Sequence, residues 1–134
     1  MSKTAEKPTI FVTRRWPDAA EEALKKYFTP TFNKQDVPLT AAQIAAGFAS
    51  HDALAPTVSD QITADIIAAG AAGSGRLIAN FGVGVNHIDL SAAASAGLAV
   101  SNTPGVLTDA TADLALTLML MVSRRAGEGE RELR

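Results

Sequence analysis

The sequence predicts an α/β protein, a doubly wound parallel sheet of five strands with helices on both faces. Three observations predict it. Strand-like and helix-like segments alternate five times, and the connections between them are short. The composition, 47% hydrophobic and 19% charged, belongs to a densely packed globular chain rather than to a disordered one. At 134 residues the chain is long enough for one ordinary domain with a core and too short for two.

The elements follow in order. Thr9-Ile10-Phe11-Val12-Thr13 is a β-branched and aromatic run and makes the first strand. Arg14-Arg15-Trp16-Pro17-Asp18 turns the chain; Pro17 suits the first turn of a helix, and Asp18, Glu21 and Glu22 suit its positive N-terminal end. That helix runs to about Tyr27, with Ala20, Leu24 and Tyr27 or Phe28 on one face. Pro30-Thr31-Phe32-Asn33 is a weak second strand. Thr40 is the expected N-cap of a helix through Ala46 that Gly47 ends. Asp52-Ala53-Leu54-Ala55 makes a short third strand before a turn at Pro56. Ser59 or Asp60 caps the next helix, which carries Ile62, Ile66 and Ile67 and stops at Gly70. Arg76 to Asn80 is the fourth strand, an apolar run set between Gly73-Ser74-Gly75 and Gly82. A short helix from Leu90 to Ala96 ends at Gly97, and Leu98-Ala99-Val100-Ser101 is the fifth strand.

In such sheets ligands bind outside the carboxyl ends of the strands, where the strand order reverses. That rule gathers Arg14 to Trp16, Ala55 to Val58, Asn80 to Gly84 and Asn102 to Gly105 around one site. The loop Gly82-Val83-Gly84 carries the most chemistry. Two glycines two apart let the backbone turn sharply and bring bare N–H groups close to a ligand, and a small carboxylate is the expected guest.

Several function classes are disfavoured. A net charge of −2 with no basic stripe argues against a nucleic-acid partner. Without cysteine there are no disulfides, no thiolate chemistry and no cysteine metal site, and no metal is expected. Met1 to Pro8 carries charges with no apolar run after them, so no secretory pattern is visible and a cytoplasmic location is the default.

Asn102-Thr103-Pro104-Gly105 breaks the rhythm, and a helix of different character follows. Thr108 is its expected N-cap, Asp109 and Asp113 suit its first turns, and Arg124 and Arg125 its last. Leu114 to Val122 between them is apolar nearly all round, the pattern of a helix buried on all sides. It is too short and interrupted for a membrane span, which needs roughly 20 apolar residues. The polar tail Ala126 to Arg134 offers no further element for the helix to pack under. Two readings stay open: a chain cut short, or a complete small domain whose last helix covers one sheet face.

Three stretches in register carry a family resemblance. Thr13-Arg14-Arg15-Trp16-Pro17, the run from Asn80 to Asp89, and the run from Ser101 to Asp113 together resemble the N-terminal part of the D-isomer-specific 2-hydroxyacid dehydrogenases. The branch they are most similar to is the glyoxylate/hydroxypyruvate reductases.

The resemblance implies a flavodoxin-like, doubly wound parallel five-stranded sheet of order 2-1-3-4-5 over residues 1–101. It further implies that residues 102–134 are the hinge and first, dimerisation helix of a Rossmann cofactor domain whose remainder is missing. Members are two-domain NAD- or NADP-dependent enzymes, usually homodimers, acting on small 2-oxo and 2-hydroxy acids. The loop Gly82 to Gly84 is expected to hold the substrate carboxylate through the Val83 and Gly84 amides, and Ala55 to Val58, with Pro56 and Thr57, to line the pocket. Positions matching Val83 and Thr108 also approach the cofactor, and the helix 108–125 packs in the dimer interface. The position matching Asn86 is more often Asp. The family's acid/base His, its partner carboxylate and its substrate Arg all lie beyond Arg134, so no catalytic residue is expected in this chain and it should be inactive alone. Gly82-Val83-Gly84-Val85-Asn86-His87 matches only the start of a dinucleotide G-x-G-x-x-G pattern, because His87 replaces the third glycine.

Duller readings stand beside these. His87 has no fixed partner in view and is read as structural or solvent-facing; His51 lies at the wrong end of its strand and is assigned no function. Arg14 and Arg15 either steer an anion or serve solubility. The alternative function is a stand-alone binding or self-association module without catalysis. Its receiver-domain version fails because Asp52 is at the wrong strand end and Ser101-Asn102-Thr103 offers no Lys. The flavin version finds Arg14-Arg15-Trp16 where a Ser- and Thr-rich phosphate loop is needed.

Overall fold

The computed structural model describes residues 6–134. The expectation of no secretory pattern rests on Met1 to Pro8, of which Met1 to Ala5 lie outside the described residues. The chain divides into two compact units, the first ending at Thr103 and the second spanning Pro104–Arg134.

In the first unit β1 (Thr9–Val12), β2 (Thr29–Phe32), β3 (Ala53–Ala55), β4 (Leu77–Ala79) and β5 (Ala99–Ser101) form one sheet of order β2-β1-β3-β4-β5. Every pairing is parallel, as the fold class read from the sequence requires. The helices between them are α1 (Asp18–Tyr27), α2 (Ala41–Ala49), α3 (Ala64–Ala72) and α4 (Leu90–Ser95).

Strand alternation sends side chains to two cores. On one face Leu54, Ile78 and part of Phe11 pack with Ile44 and Phe48 of α2, Ile66 and Ile67 of α3 and Ala93 of α4. On the other, Ile10, Val12, Ala53 and Ala55 pack with Leu24 of α1 and with Trp16 and Phe28. Between the two candidates for the α1 stripe it is Phe28 that packs, while Tyr27 stays 71% exposed.

Three expectations about helix ends are corrected. The helix capped by Thr40 does not stop at Gly47 but runs to Ala49. A Cβ at Gly47 would stand 2.3 Å from the Phe11 ring, so this glycine marks a close approach of helix to sheet and not a terminus. The Thr40 cap itself is present as a capping box with Gln43. Neither Ser59 nor Asp60 caps α3, which begins at Ala64 after Thr63 with no side-chain capping bond, and the helix does not stop at Gly70 but runs to Ala72, because Gly70 lies against the Phe48 ring inside it. Ile62 instead bridges Ile88, with Ile62 N–H donating to His87 O at 2.8 Å and Asp89 N–H to Ile62 O at 3.0 Å.

The second unit contains α5 (Thr108–Ser123) and α6 (Ala126–Glu132). Thr108 is the first helical residue and Leu107 the N-cap, with no side-chain bond. The polar tail, expected to offer no further element, is itself helical, entered through Arg125 in the left-handed region at φ 52°. The apolar run of α5 is not buried: Leu118 to Val122 remain between 44% and 77% exposed. Among the described residues no helix is long and apolar enough to cross a membrane.

Candidate functional site

Because all five strands are parallel, the loops after β1, β3, β4 and β5 leave along one edge of the sheet, and the strand order reverses between β1 and β3. Hydrogen bonds assemble these loops. Thr13 at the end of β1 donates its N–H to Ala55 O at 3.2 Å, and its hydroxyl donates to the buried Asp60 carboxylate at 2.5 Å. The same Asp60 oxygen accepts the Thr57 N–H at 2.9 Å, so one carboxylate ties β1 to the segment after β3. Phe81 N–H donates to Pro56 O at 2.9 Å, and Thr57 bridges Phe81, carrying the β3–β4 pairing past the strand ends. Pro56 is fully buried and forms the back of this wall through its carbonyl; Thr57 is half-buried and Val58 exposed at its rim.

The loop Gly82-Val83-Gly84 is held by its carbonyls. Asn80 Nδ2 donates to Gly82 O at 3.1 Å and to Gly84 O at 2.9 Å, Thr103 N–H donates to Gly82 O at 3.0 Å, and Asn102 Nδ2 donates to Val83 O at 2.9 Å. Among the described residues none of the N–H groups from Gly82 to His87 donates to a protein acceptor. A row of peptide units with bonded carbonyls and N–H groups free of protein acceptors has the hydrogen-bonding capacity to receive an anion. Neither loop glycine has a positive φ, which corrects the expectation that the turn needs their backbone freedom. A Cβ at Gly82 would lie 2.5 Å from Cγ1 of the exposed Val58 side chain, which would have to shift, whereas nothing lies within 4 Å of a Cβ at Gly84. Open space at Gly84 leaves its amide approachable.

Both arginines after β1 are engaged. Arg14 Nε pairs with Asp36 at 2.9 Å and Arg15 Nε with Glu21 at 2.8 Å. The Arg14 hydrogen bond, helped by the Arg15 N–H, holds the Asp36 carboxyl below the usual carboxylate range. The Arg15 bond does the same for Glu21, against the opposing effect of burial. Trp16 stacks on Phe81, and its indole Nε1–H is buried with no hydrogen-bond partner among the described residues. His87 does have a fixed partner, contrary to expectation: Nε2 lies 2.9 Å from Asn80 Oδ1. Burial pushes its pKa below the ordinary histidine value, opposed by the Asp60 charge. His51 contacts Thr31 and Gly47, away from this edge. Asp52 accepts from the Thr9 N–H and hydroxyl, both at 2.7 Å, and so serves as a tie at the amino edge of the sheet.

Residues 10–128 match the family model described as D-isomer specific 2-hydroxyacid dehydrogenase, catalytic domain. The chain belongs to that family. Among its relatives, a glyoxylate reductase of Korarchaeum cryptofilum (strain OPF8) is 35% identical over 128 residues, 96% of this chain and 38% of that protein. A 2-hydroxyacid dehydrogenase structure from Ketogulonicigenium vulgare Y25 superposes with a TM-score of 0.73 at 31% identity, covering 93% of this chain and 38% of its own. An NADPH-dependent glyoxylate/hydroxypyruvate reductase from Sinorhizobium meliloti, solved with NADP and malonate, gives 0.72 at 28% identity over 95% of this chain and 39% of its own. The chain thus spans under two fifths of the length of the glyoxylate reductase it matches.

Around this loop the described residues do not fit a dinucleotide pyrophosphate. After Gly82-Val83-Gly84 the chain makes turns, and the helix that follows, α4, is six residues long. Its N-terminus is already filled by the Asp89 carboxylate, which accepts the Ala92 N–H at 2.9 Å and would repel a phosphate. Thr108 opens α5 in the second unit.

Three features of this edge carry little or ambiguous signal in the sequence. Asn80 stands in the quoted motif without a role, although a polar residue closing a buried strand beside two glycines has loop carbonyls within reach. Asp60 was given a capping role that its spacing from Thr57 also allows as a loop tie. The Trp16–Phe81 stack joins residues far apart in sequence and carries no local signal.

Proposed function

We propose that this chain is the substrate-binding portion of an NAD- or NADP-dependent reductase that interconverts small 2-oxo acids of the glyoxylate/hydroxypyruvate type and D-2-hydroxy acids. The observation that carries the reading is the row of free N–H groups at Gly82, Val83 and Gly84 behind carbonyls that are all bonded inward. The substrate carboxylate lies on the Val83 and Gly84 amides, with Thr57 on the rim, and Pro56 supports Phe81 from behind. The glyoxylate reductase name of the relatives and the malonate of the Sinorhizobium structure, itself a carboxylate, support this guest.

Residues 1–101 form the substrate domain in this reading, and 102–134 the hinge and first helix of the cofactor domain. Val83 and Thr108 reach the edge of the cofactor; the groups that hold its pyrophosphate and perform the acid/base step are not in this chain. A homodimer forms through the helix 108–125, in the cytoplasm. The exposed apolar side chains of α5 also favour a second reading, self-association without catalysis.

The test uses the full 134-residue chain and its single tryptophan, Trp16, as reporter. Glyoxylate and hydroxypyruvate are expected to change its fluorescence saturably, and glycolaldehyde, which lacks the carboxylate, is not. No turnover above background is expected with NADH or NADPH. Equal responses to all three compounds would remove the carboxylate reading, and measurable turnover would overturn the assignment of the chemistry elsewhere.

A further inference from the structure

We infer that Asn80 and His87 are a pair of positioning residues that set the carboxylate loop: His87 fixes which way the Asn80 amide faces, and Asn80 holds the loop with its N–H groups outward. The inference rests on the carboxylate reading of the loop and names the device that orients it.

The hydrogen-bond arithmetic leaves one arrangement. Asn80 is 3% exposed, so its polar atoms must be satisfied by the protein. One end of its amide faces two carbonyl oxygens, Gly82 O at 3.1 Å and Gly84 O at 2.9 Å. Both are acceptors only, and the NH2 group, with two hydrogens, is the end that can satisfy both. The Oδ1 end therefore faces His87 Nε2 at 2.9 Å and requires a donor there. Neutral His87 must carry its proton on Nε2, with Nδ1 unprotonated. His87 is itself anchored, since its carbonyl accepts the Ile62 N–H at 2.8 Å beside the Ile62–Ile88 bridge.

The function of the pair follows from the alternative. An Asn80 amide turned end for end would set its oxygen against two carbonyl oxygens, and the peptide units of Gly82 and Gly84 would have to rotate to escape. Rotation turns N–H groups inward and dissolves the anion concavity. The histidine donor holds Asn80 in the one orientation that keeps these groups facing out. Neither residue touches the carboxylate; both act through the loop backbone.

The experiment joins long-range ¹H–¹⁵N correlation of the histidine rings with glyoxylate titration of the full chain and two variants. His87→Gln keeps a donor that can reach Asn80 Oδ1, and His87→Leu keeps bulk without one. The inference expects the Nε2–H form for neutral His87, near wild-type glyoxylate affinity in His87→Gln, and a loss of about fivefold or more in His87→Leu with altered Gly82 to Gly84 amide shifts. An Nδ1–H form, or equal affinity and unchanged loop shifts in His87→Leu, overturns it. If the wild-type chain does not bind glyoxylate at all, the carboxylate reading falls, and the ring tautomer with the loop shifts still decides whether this pair sets the loop.

Discussion

The indole of Trp16 stacks on the ring of Phe81, with centroids 4.9 Å apart and planes inclined by 29°. The contact joins the loop after β1 to the loop after β4 across the end of β3, so it braces the entry to Gly82 from the far side of the strand-order switch. Such pairs are worth about 0.5–1.5 kcal/mol beyond the apolar area they bury. Phe81→Ala is expected to lower the unfolding free energy by about 1 kcal/mol or more and to shift Trp16 emission toward that of a solvated indole. Tyr27→Ala, at a position 71% exposed, is expected to stay within about 0.5 kcal/mol of wild type. Urea unfolding followed by fluorescence checks both, and equal midpoints for the two variants would show that the stack contributes nothing.

The five-strand parallel sheet was legible because most strands are short apolar runs and the connections are short, as Thr9 to Val12 and Leu77 to Ala79 illustrate, with Thr29 to Phe32 the weak exception. The strand order came with the family resemblance rather than from the residues. What stayed hidden involves distance in sequence. Gly47 looks like a stop to any local rule, and only the Phe11 ring packed against it explains why the helix continues. Asp60 has the residue type and position of a cap, but Thr13, 47 residues away, claims its carboxylate. The loop from Gly82 to Gly84 was legible as a motif, and the origin of its shape was misjudged. Its glycines were credited with backbone freedom, whereas the loop has no positive φ at either glycine and is shaped by the Asn80 and Asn102 amides.

Burial holds the His87 pKa below the ordinary histidine value of about 6.5, with the Asp60 charge opposing and Asp89 nearby engaged at the start of α4. A depressed folded-state pKa means that the unfolded chain binds the proton more readily. The associated stability is full above about pH 6.5 and is lost as pH falls through the lower folded value. The carboxyls of Glu21, Asp36 and Asp52 are themselves held below the usual range, so their losses come at more acidic pH. Urea unfolding at pH 7.5 and pH 5.5 is expected to show wild type losing more stability than His87→Gln, which leaves His51 in place. Parallel losses in the two proteins would contradict the assignment.

Two glycine-to-alanine changes separate packing from binding. At Gly70 a Cβ would stand 2.2 Å from Phe48, a ring with no exposed surface, so Gly70→Ala is expected to cost about 1–3 kcal/mol. At Gly84 the space is open, so Gly84→Ala is expected to leave stability within about 0.5 kcal/mol and to weaken glyoxylate binding, because the new methyl stands beside the amide the carboxylate uses. Thermal unfolding with glyoxylate titration of each variant checks the pair. A stable Gly84→Ala protein that binds glyoxylate as wild type does would place the anion elsewhere.

The most direct measurement is a ¹H–¹⁵N correlation titration of the full 134-residue chain with glyoxylate. Saturable shifts centred on the Val83 and Gly84 amides, moving downfield as each N–H gains a charged acceptor, are the expected result. Shifts centred on another edge of the sheet, or none at these two amides while glyoxylate binds, would contradict the assignment of this loop as the carboxylate site.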